Sequence, residues 1–194
     1  MEIWLDEDWL KLFYSILVDI YRNTDYPITV GYNESIISVC VERPLTDVYN
    51  LIPFPHFLHR VAVLMETIAS FHPFADGNKR VALLATFYLL YWNGYDLAIP
   101  MDADQFTIEI AQGNKSLDDV LSWLMRHSKR GVLSIARNLF CGFIMRLGDN
   151  PGAIKIANLS APLLVPLHPL GFFGAKIHRS KKTDIQNDLV GQET

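Results

Sequence analysis

The run His72-Pro73-Phe74-Ala75-Asp76-Gly77-Asn78-Lys79-Arg80 decides how this chain is read. It gathers an imidazole, a carboxylate, an amide, two cations and a glycine between two apolar helical patterns. A buried helix needs only an apolar stripe. Groups of such different chemistry, beside a glycine that lets a ligand approach backbone where a helix should begin, mark a candidate reactive centre.

Working outward, Val81 to Trp92 is apolar on nearly every face, with Thr86 as its polar interruption, so it predicts a central helix. Asn93-Gly94 supplies the C-terminal stop. Upstream, Phe57, Val61, Leu64, Met65 and Ile68 form a helical stripe with Pro55 near its first turn. From Trp9 to Tyr21 the spacing of Leu12, Phe13, Ile16, Leu17 and Ile20 predicts a first amphipathic helix, with acidic residues ahead of it. Between Asn23 and Pro55 the prolines and Gly31 point to loop, although Ser35 to Val41 suits a short strand or a helix. Asp102 with Gln105, and Ser116 with Asp119, have capping-box spacing and predict two short helices.

Residues 1–128 therefore read as an all-α domain, a helical bundle around a buried central helix, with no strand pattern strong enough for a sheet. Residues 129–194 read as a C-terminal extension. A helix is expected over about 132–147, carried by Leu133, Ala136, Leu139, Phe140, Ile144 and Leu147. A proline-rich apolar segment, Ala153 to Phe173, follows; it is more interrupted than a membrane span of about 20 residues. The polar tail carries Lys176, Arg179, Lys181 and Lys182.

Composition narrows the function classes. Of 194 residues, 50% are hydrophobic and the formal net charge is −4, which suits a folded core and argues against sequence-independent binding of nucleic acid. Cys40 and Cys141 lie far apart and outside any Cys-x-x-Cys pair, so neither a disulfide scaffold nor a thiolate zinc site is expected. The acidic N-terminus, with Glu2, Asp6, Glu7 and Asp8, is unlike a secretory signal, and the expected location is cytoplasmic with no membrane partner.

The chemistry of the central run follows from its geometry. Pro73 keeps His72 out of the preceding helix. The next helix presents unpaired N–H groups and a positive dipole end, and Gly77 leaves them uncovered. Asn78, Lys79 and Arg80 add donors suited to phosphate oxygens. Asp76, a carboxylate beside a phosphate site, is placed as Mg²⁺ commonly requires. The His72 imidazole can accept a proton from a hydroxyl near neutral pH. A base, a metal ligand and a phosphate cradle make up the apparatus of transfer from a nucleotide to a hydroxyl. No P-loop, dinucleotide fingerprint or protein-kinase signature set occurs.

The same nine residues resemble the Fic/Doc signature His-x-Phe-x-[Asp/Glu]-[Gly/Ala]-Asn-[Gly/Lys]-Arg, with every defining position filled. The resemblance covers roughly residues 1–128 and implies an all-helical fold with the motif in the loop before its central helix. Fic adenylyltransferases usually have Gly where Lys79 stands and a second Arg where Leu83 stands. Death-on-curing (Doc) toxins have the Lys and lack that Arg. The resemblance to the Doc branch implies transfer of the terminal phosphate of ATP, or another NTP, to a Ser or Thr hydroxyl of a target protein such as a translation factor. It implies His72 as base, Asp76 as Mg²⁺ ligand, and Gly77, Asn78, Lys79 and Arg80 as phosphate binders. It also implies a flap within about Ile36 to Asn50 that docks the target as an added strand. Ser38 and Glu42 have the spacing of the family's inhibitory motif, but Arg43 follows where Gly or Asn belongs, so a separate antitoxin protein is the expected regulator. AMP transfer and a non-enzymatic binding module are the alternatives.

Overall fold

Why the chain buries most of α4 is visible in its composition: Val81, Ala82, Leu83, Leu84, Ala85, Leu89 and Leu90 leave no polar face to turn outward, and Phe87, Tyr88 and Tyr91 are part-buried. The structure, a computed structural model, describes residues 2–46, 53–132 and 134–135. Its helices are α1 (Glu7–Tyr21), α2 (Glu34–Glu42), α3 (Phe57–Phe71), α4 (Asn78–Trp92), α5 (Ala103–Ala111) and α6 (Leu117–His127). A 3₁₀ turn, Arg43–Leu45, extends α2. α3 forms the most extensive helix pair with α4, and α1 and α5 cover further faces of it. Rings join the layers: Trp9 meets Trp92 edge-on at 4.7 Å, and Phe13 stacks on Tyr88 at 5.1 Å. Phe106 of α5 stacks on Trp123 of α6 at 4.9 Å. These tryptophans pack helices together, and Trp4 donates its indole N–H to the Val41 carbonyl at 3.2 Å.

Several details depart from the sequence expectations. In α1 the buried stripe is Leu10, Phe13, Tyr14, Leu17 and Tyr21, while Leu12 is exposed. The two tyrosines bury their rings in place of the expected aliphatic residues, which rotates the stripe. Ser35 to Val41 is helix, because Asn33 caps the Ile36 N–H and Ile37, Cys40 and Val41 recur at helical spacing. Ile36 to Leu45 of the expected flap is therefore helical, and residues 47–50 lie outside those described. The Ser116–Asp119 capping box is formed, but Asp102 makes no capping bond; its φ −93 and ψ 8 depart from the extended backbone that a capping side chain favours. A two-residue antiparallel pair, β1 (Asp96–Leu97) with β2 (Ser128–Lys129), is too short to leave an alternating pattern in the sequence. A helical turn opens at Val132, where Ile135 N–H donates to Gly131. The rest of the helix expected over 132–147, the proline-rich segment and the tail lie outside the described residues. Among the described residues, no helix is long and apolar enough to cross a membrane.

α4 ends at Asn93, with Gly94 at φ 79 in the left-handed conformation. The buried Asn93 side chain also grips the N-terminal segment. Its Oδ1 accepts from Ile3 N–H at 2.8 Å, and its Nδ2 donates to Ile3 C=O at 2.7 Å and Leu89 C=O at 2.8 Å. Asn93→Ala strands these groups, and we expect a loss of about 2 to 3 kcal/mol in urea-unfolding stability. A loss within about 0.5 kcal/mol, the range of ordinary surface changes, would show the clasp to be dispensable.

Burial also pushes the Cys40 thiol up to about 12. The folded state holds the thiol proton more tightly than the unfolded chain does. Its stabilising contribution is thus complete below the unfolded thiol value of about 8.5 and declines as pH rises toward the folded value. The Cys40 peptide should stay unmodified by iodoacetamide at pH 8 in the native protein and react fully in denaturant, as read by mass spectrometry; the unfolding midpoint should fall between pH 8 and pH 11.

Candidate active site at the start of the central helix

His72 ends α3 in the left-handed conformation, φ 51 and ψ 58, the one non-glycine residue with positive φ among those described. The following proline disfavours the right-handed helical alternative, and the position costs a residue bearing a Cβ about 1 to 2 kcal/mol. Its imidazole is exposed. Phe74 points inward, 2% exposed, and stacks on Tyr14 of α1 with ring centres 4.3 Å apart. Between His72 and the helix the chain is anchored to the core by this ring.

The buried Asn78 side chain closes the loop. Its Oδ1 accepts from Phe74 N–H at 2.9 Å, and its Nδ2 donates to Phe74 C=O at 2.7 Å. The amide placed among the phosphate donors by sequence is thus engaged in shaping the loop, and the donor Asn78 can offer a ligand with least disturbance is its backbone N–H. The helical ladder begins where Val81 N–H donates to Gly77 C=O at 2.9 Å. The N–H groups of Asn78, Lys79 and Arg80 consequently have no intrahelical acceptor, and among the described residues no side-chain bond caps the helix start. Gly77, at φ 81, occupies the left-handed N-cap position; a Cβ there would sit 3.4 Å from Ile28 Cδ1. Such an end is suited to an anion.

Asp76 is exposed, and its Oδ1 accepts from Gly77 N–H at 2.5 Å. A carboxylate keeps further lone pairs on both oxygens, which fits a cation held jointly by Asp76 and phosphate oxygens. Among the described residues, no group of three or more His, Cys, Asp or Glu side chains could hold a metal by themselves. His56 and His59 stack with ring centres 6.4 Å apart and have no third ligand in that set. Lys79 is exposed, whereas Arg80 is half-buried with its guanidinium carbon 4.4 Å from the centre of the Tyr21 ring. Leu83, one turn further along α4, is 2% exposed. Ser38 Oγ donates to Glu42 Oε1 at 3.3 Å on α2, while Arg43 turns to Glu66 at 2.5 Å and to Thr67 Oγ1 at 2.6 Å on α3.

Sequence reasoning missed the rail on which the loop rests. Tyr32 forms a β-bridge with Phe74, flanked by Asn33 N–H to Pro73 C=O and Ala75 N–H to Gly31 C=O, both 2.8 Å. The Tyr14 hydroxyl donates to Thr29 C=O at 2.7 Å and accepts from Gly31 N–H at 3.1 Å. A Cβ on Gly31 would lie 3.3 Å from that of Ala75, so the close approach favours glycine. Burial raises the pKa of the Tyr14 hydroxyl, and the Asp76 charge adds to the rise. The usable signal was Gly31 itself, an isolated glycine between apolar residues.

Comparison with known proteins agrees with this arrangement. Residues 4–90 match the Fic/DOC family. The chain is also 32% identical, over 92 residues, to the protein named Toxin Doc of Mycolicibacterium smegmatis (strain ATCC 700084 / mc(2)155), an alignment spanning 46% of this chain and 71% of that protein. With the motif before a buried central helix, and this coverage of a relative, the chain belongs to the Fic/Doc family.

Proposed function

We propose that this protein is a Doc-like toxin-type phosphotransferase that moves the terminal phosphate of ATP, or another NTP, to a Ser or Thr hydroxyl of a target protein. The observation that carries the reading is the start of α4. Free N–H groups, the exposed Lys79 and the Asp76 carboxylate meet there, while Leu83 is buried where the adenylyltransferase pattern has its second arginine.

The N–H groups of Asn78, Lys79 and Arg80 would receive phosphate oxygens, with the Lys79 ammonium and Arg80 guanidinium offsetting their charge. Asp76 would hold Mg²⁺ beside them. When bound, the ion neutralises charge on the phosphates. His72 would take the proton of the acceptor hydroxyl as its oxygen bonds to the terminal phosphorus and the bond from that phosphorus to the bridging oxygen breaks, releasing the nucleoside diphosphate. The exposed position of His72 is compatible with a protein acceptor reaching it. The similarity to a toxin supports a partner antitoxin and a cytoplasmic target, a translation factor being the kind the branch suggests.

Incubation with magnesium and ATP labelled at the α or the γ phosphate, in a cell extract, tests the reaction. Label reaching protein from γ alone is the expected result. Label from α would instead support AMP transfer, and no label from either would leave a binding module. His72→Ala should lower transfer by at least about 100-fold, the usual scale of general-base catalysis, while nucleotide binding persists. Asp76→Ala should weaken the dependence of transfer on magnesium concentration; an unchanged magnesium titration would remove Asp76 from its role.

A further inference from the structure

Among the described residues the other cations of the fold are often tied to carboxylates. Lys11 meets Glu34 at 2.6 Å, Arg43 meets Glu66 at 2.5 Å, Arg60 meets Glu2 at 2.7 Å and Lys115 meets Glu109 at 3.1 Å. Arg80 is held differently. No carboxylate of that set lies within ion-pair distance of it, and its guanidinium instead lies over the ring of Tyr21, the last residue of α1. That ring is 8% exposed, and the Tyr21 carbonyl is tied to Thr24 by bonds of 3.1 Å from its N–H and 2.8 Å from its hydroxyl.

The difference matters chemically. A carboxylate partner would neutralise an arginine and engage its N–H fork bidentately, whereas an aromatic face attracts the cation through its quadrupole and leaves its charge and most of its donors available. The guanidinium is held and keeps its charge. We infer that Tyr21 is a positioning residue for Arg80, its buried ring holding the guanidinium, without a carboxylate partner among the described residues, for the nucleotide phosphates at the start of α4. The inference rests on the phosphotransferase reading of that site. Burial raises the pKa of the Tyr21 hydroxyl, the charge of Arg80 and its hydrogen bonding to the hydroxyl draw it partly back, and the Asp104 charge adds to the rise, consistent with the proximity of Tyr21 and Arg80. Nothing in the sequence motif points to Tyr21, which lies 59 residues before Arg80, from the numbering.

Calorimetric titration of the full chain with ATP and magnesium tests this. Tyr21→Leu removes the face but keeps apolar bulk, and should weaken ATP binding about five- to tenfold, whereas Tyr21→Phe keeps the face and should bind within about twofold of the unaltered protein. In an Arg80→Ala background, Tyr21→Leu should have no further effect, because its action runs through Arg80. Equal loss in both backgrounds would mean general packing and overturn the inference, as would undiminished binding by Tyr21→Leu or a loss in Tyr21→Phe matching that in Tyr21→Leu. If Tyr21→Leu does not fold, Tyr21→Met, which also lacks a ring, takes its place under the same criteria. Failure of the unaltered protein to bind ATP or any other NTP would overturn the phosphotransferase reading and this inference together.

Discussion

A helix whose faces are apolar nearly all round must be covered by other elements, and α4 imposes that constraint on the whole fold. Its side faces are closed by α1, α3 and α5, so polar chemistry is confined to its two ends. Both ends use the same device. Asn78 pairs through one side-chain amide with the N–H and C=O of Phe74, and Asn93 does so with the N–H and C=O of Ile3. An asparagine amide offers a donor and an acceptor side by side, as a neighbouring strand would, and can satisfy both groups of one buried peptide residue. The central helix thereby fixes the chain N-terminal segment at one end and the motif loop at the other.

Once the loop is fixed by Asn78, its remaining freedom is removed from the opposite side. Phe74 stacks on Tyr14, and the Tyr14 hydroxyl orders Thr29 and Gly31, whose segment bridges back to Pro73 and Ala75. The ring and the rail hold the backbone between His72 and Asp76 without using the side chain of either residue. This division leaves the imidazole, the carboxylate and the Lys79 ammonium exposed on a rigid support, the arrangement that preorganised sites need.

How far the sequence could be read follows from the range of each interaction. The central helix, the turn at His72-Pro73 and the Ser116–Asp119 cap depend on neighbours within a few positions, and their pattern is local. The orientation of α1 was legible only in part, because a tyrosine counts as buried or exposed according to what its hydroxyl meets: Tyr14 bonds Thr29 and Gly31, contacts that exist only after folding. α2 was ambiguous because Ile36 to Val41 is β-branched enough for either structure, and the Asn33 cap decides for the helix. The rail at Gly31 pairs residues forty or more positions apart, and neither partner segment carries strand periodicity. Within the site, the chemistry of each group was readable from its type. The engagement of the Asn78 amide with Phe74 was not, since an asparagine at a helix start is equally suited to a ligand.

Lys79 and Leu83 are four residues apart on α4 and so lie on one face of it, the first exposed and the second buried. In the adenylyltransferase pattern the glycine stands at the first of these positions and the arginine at the second; here the cation stands at the first and an apolar residue at the second. The two changes are physically linked. A rise of 1.5 Å per residue places position 83 roughly 6 Å deeper along the helix. An arginine there would need a polar opening in the wall that Leu83 now fills, since an uncompensated charge is costly to bury. Leu83 is buried and Lys79 exposed, so on the proposed reading the Lys79 cation would meet the phosphates from the surface end of the helix. On the proposed reading, a nucleotide that needs positive charge one turn deeper would have no partner for it at Leu83, and an orientation with the terminal phosphate, and not the α phosphate, beside His72 would follow.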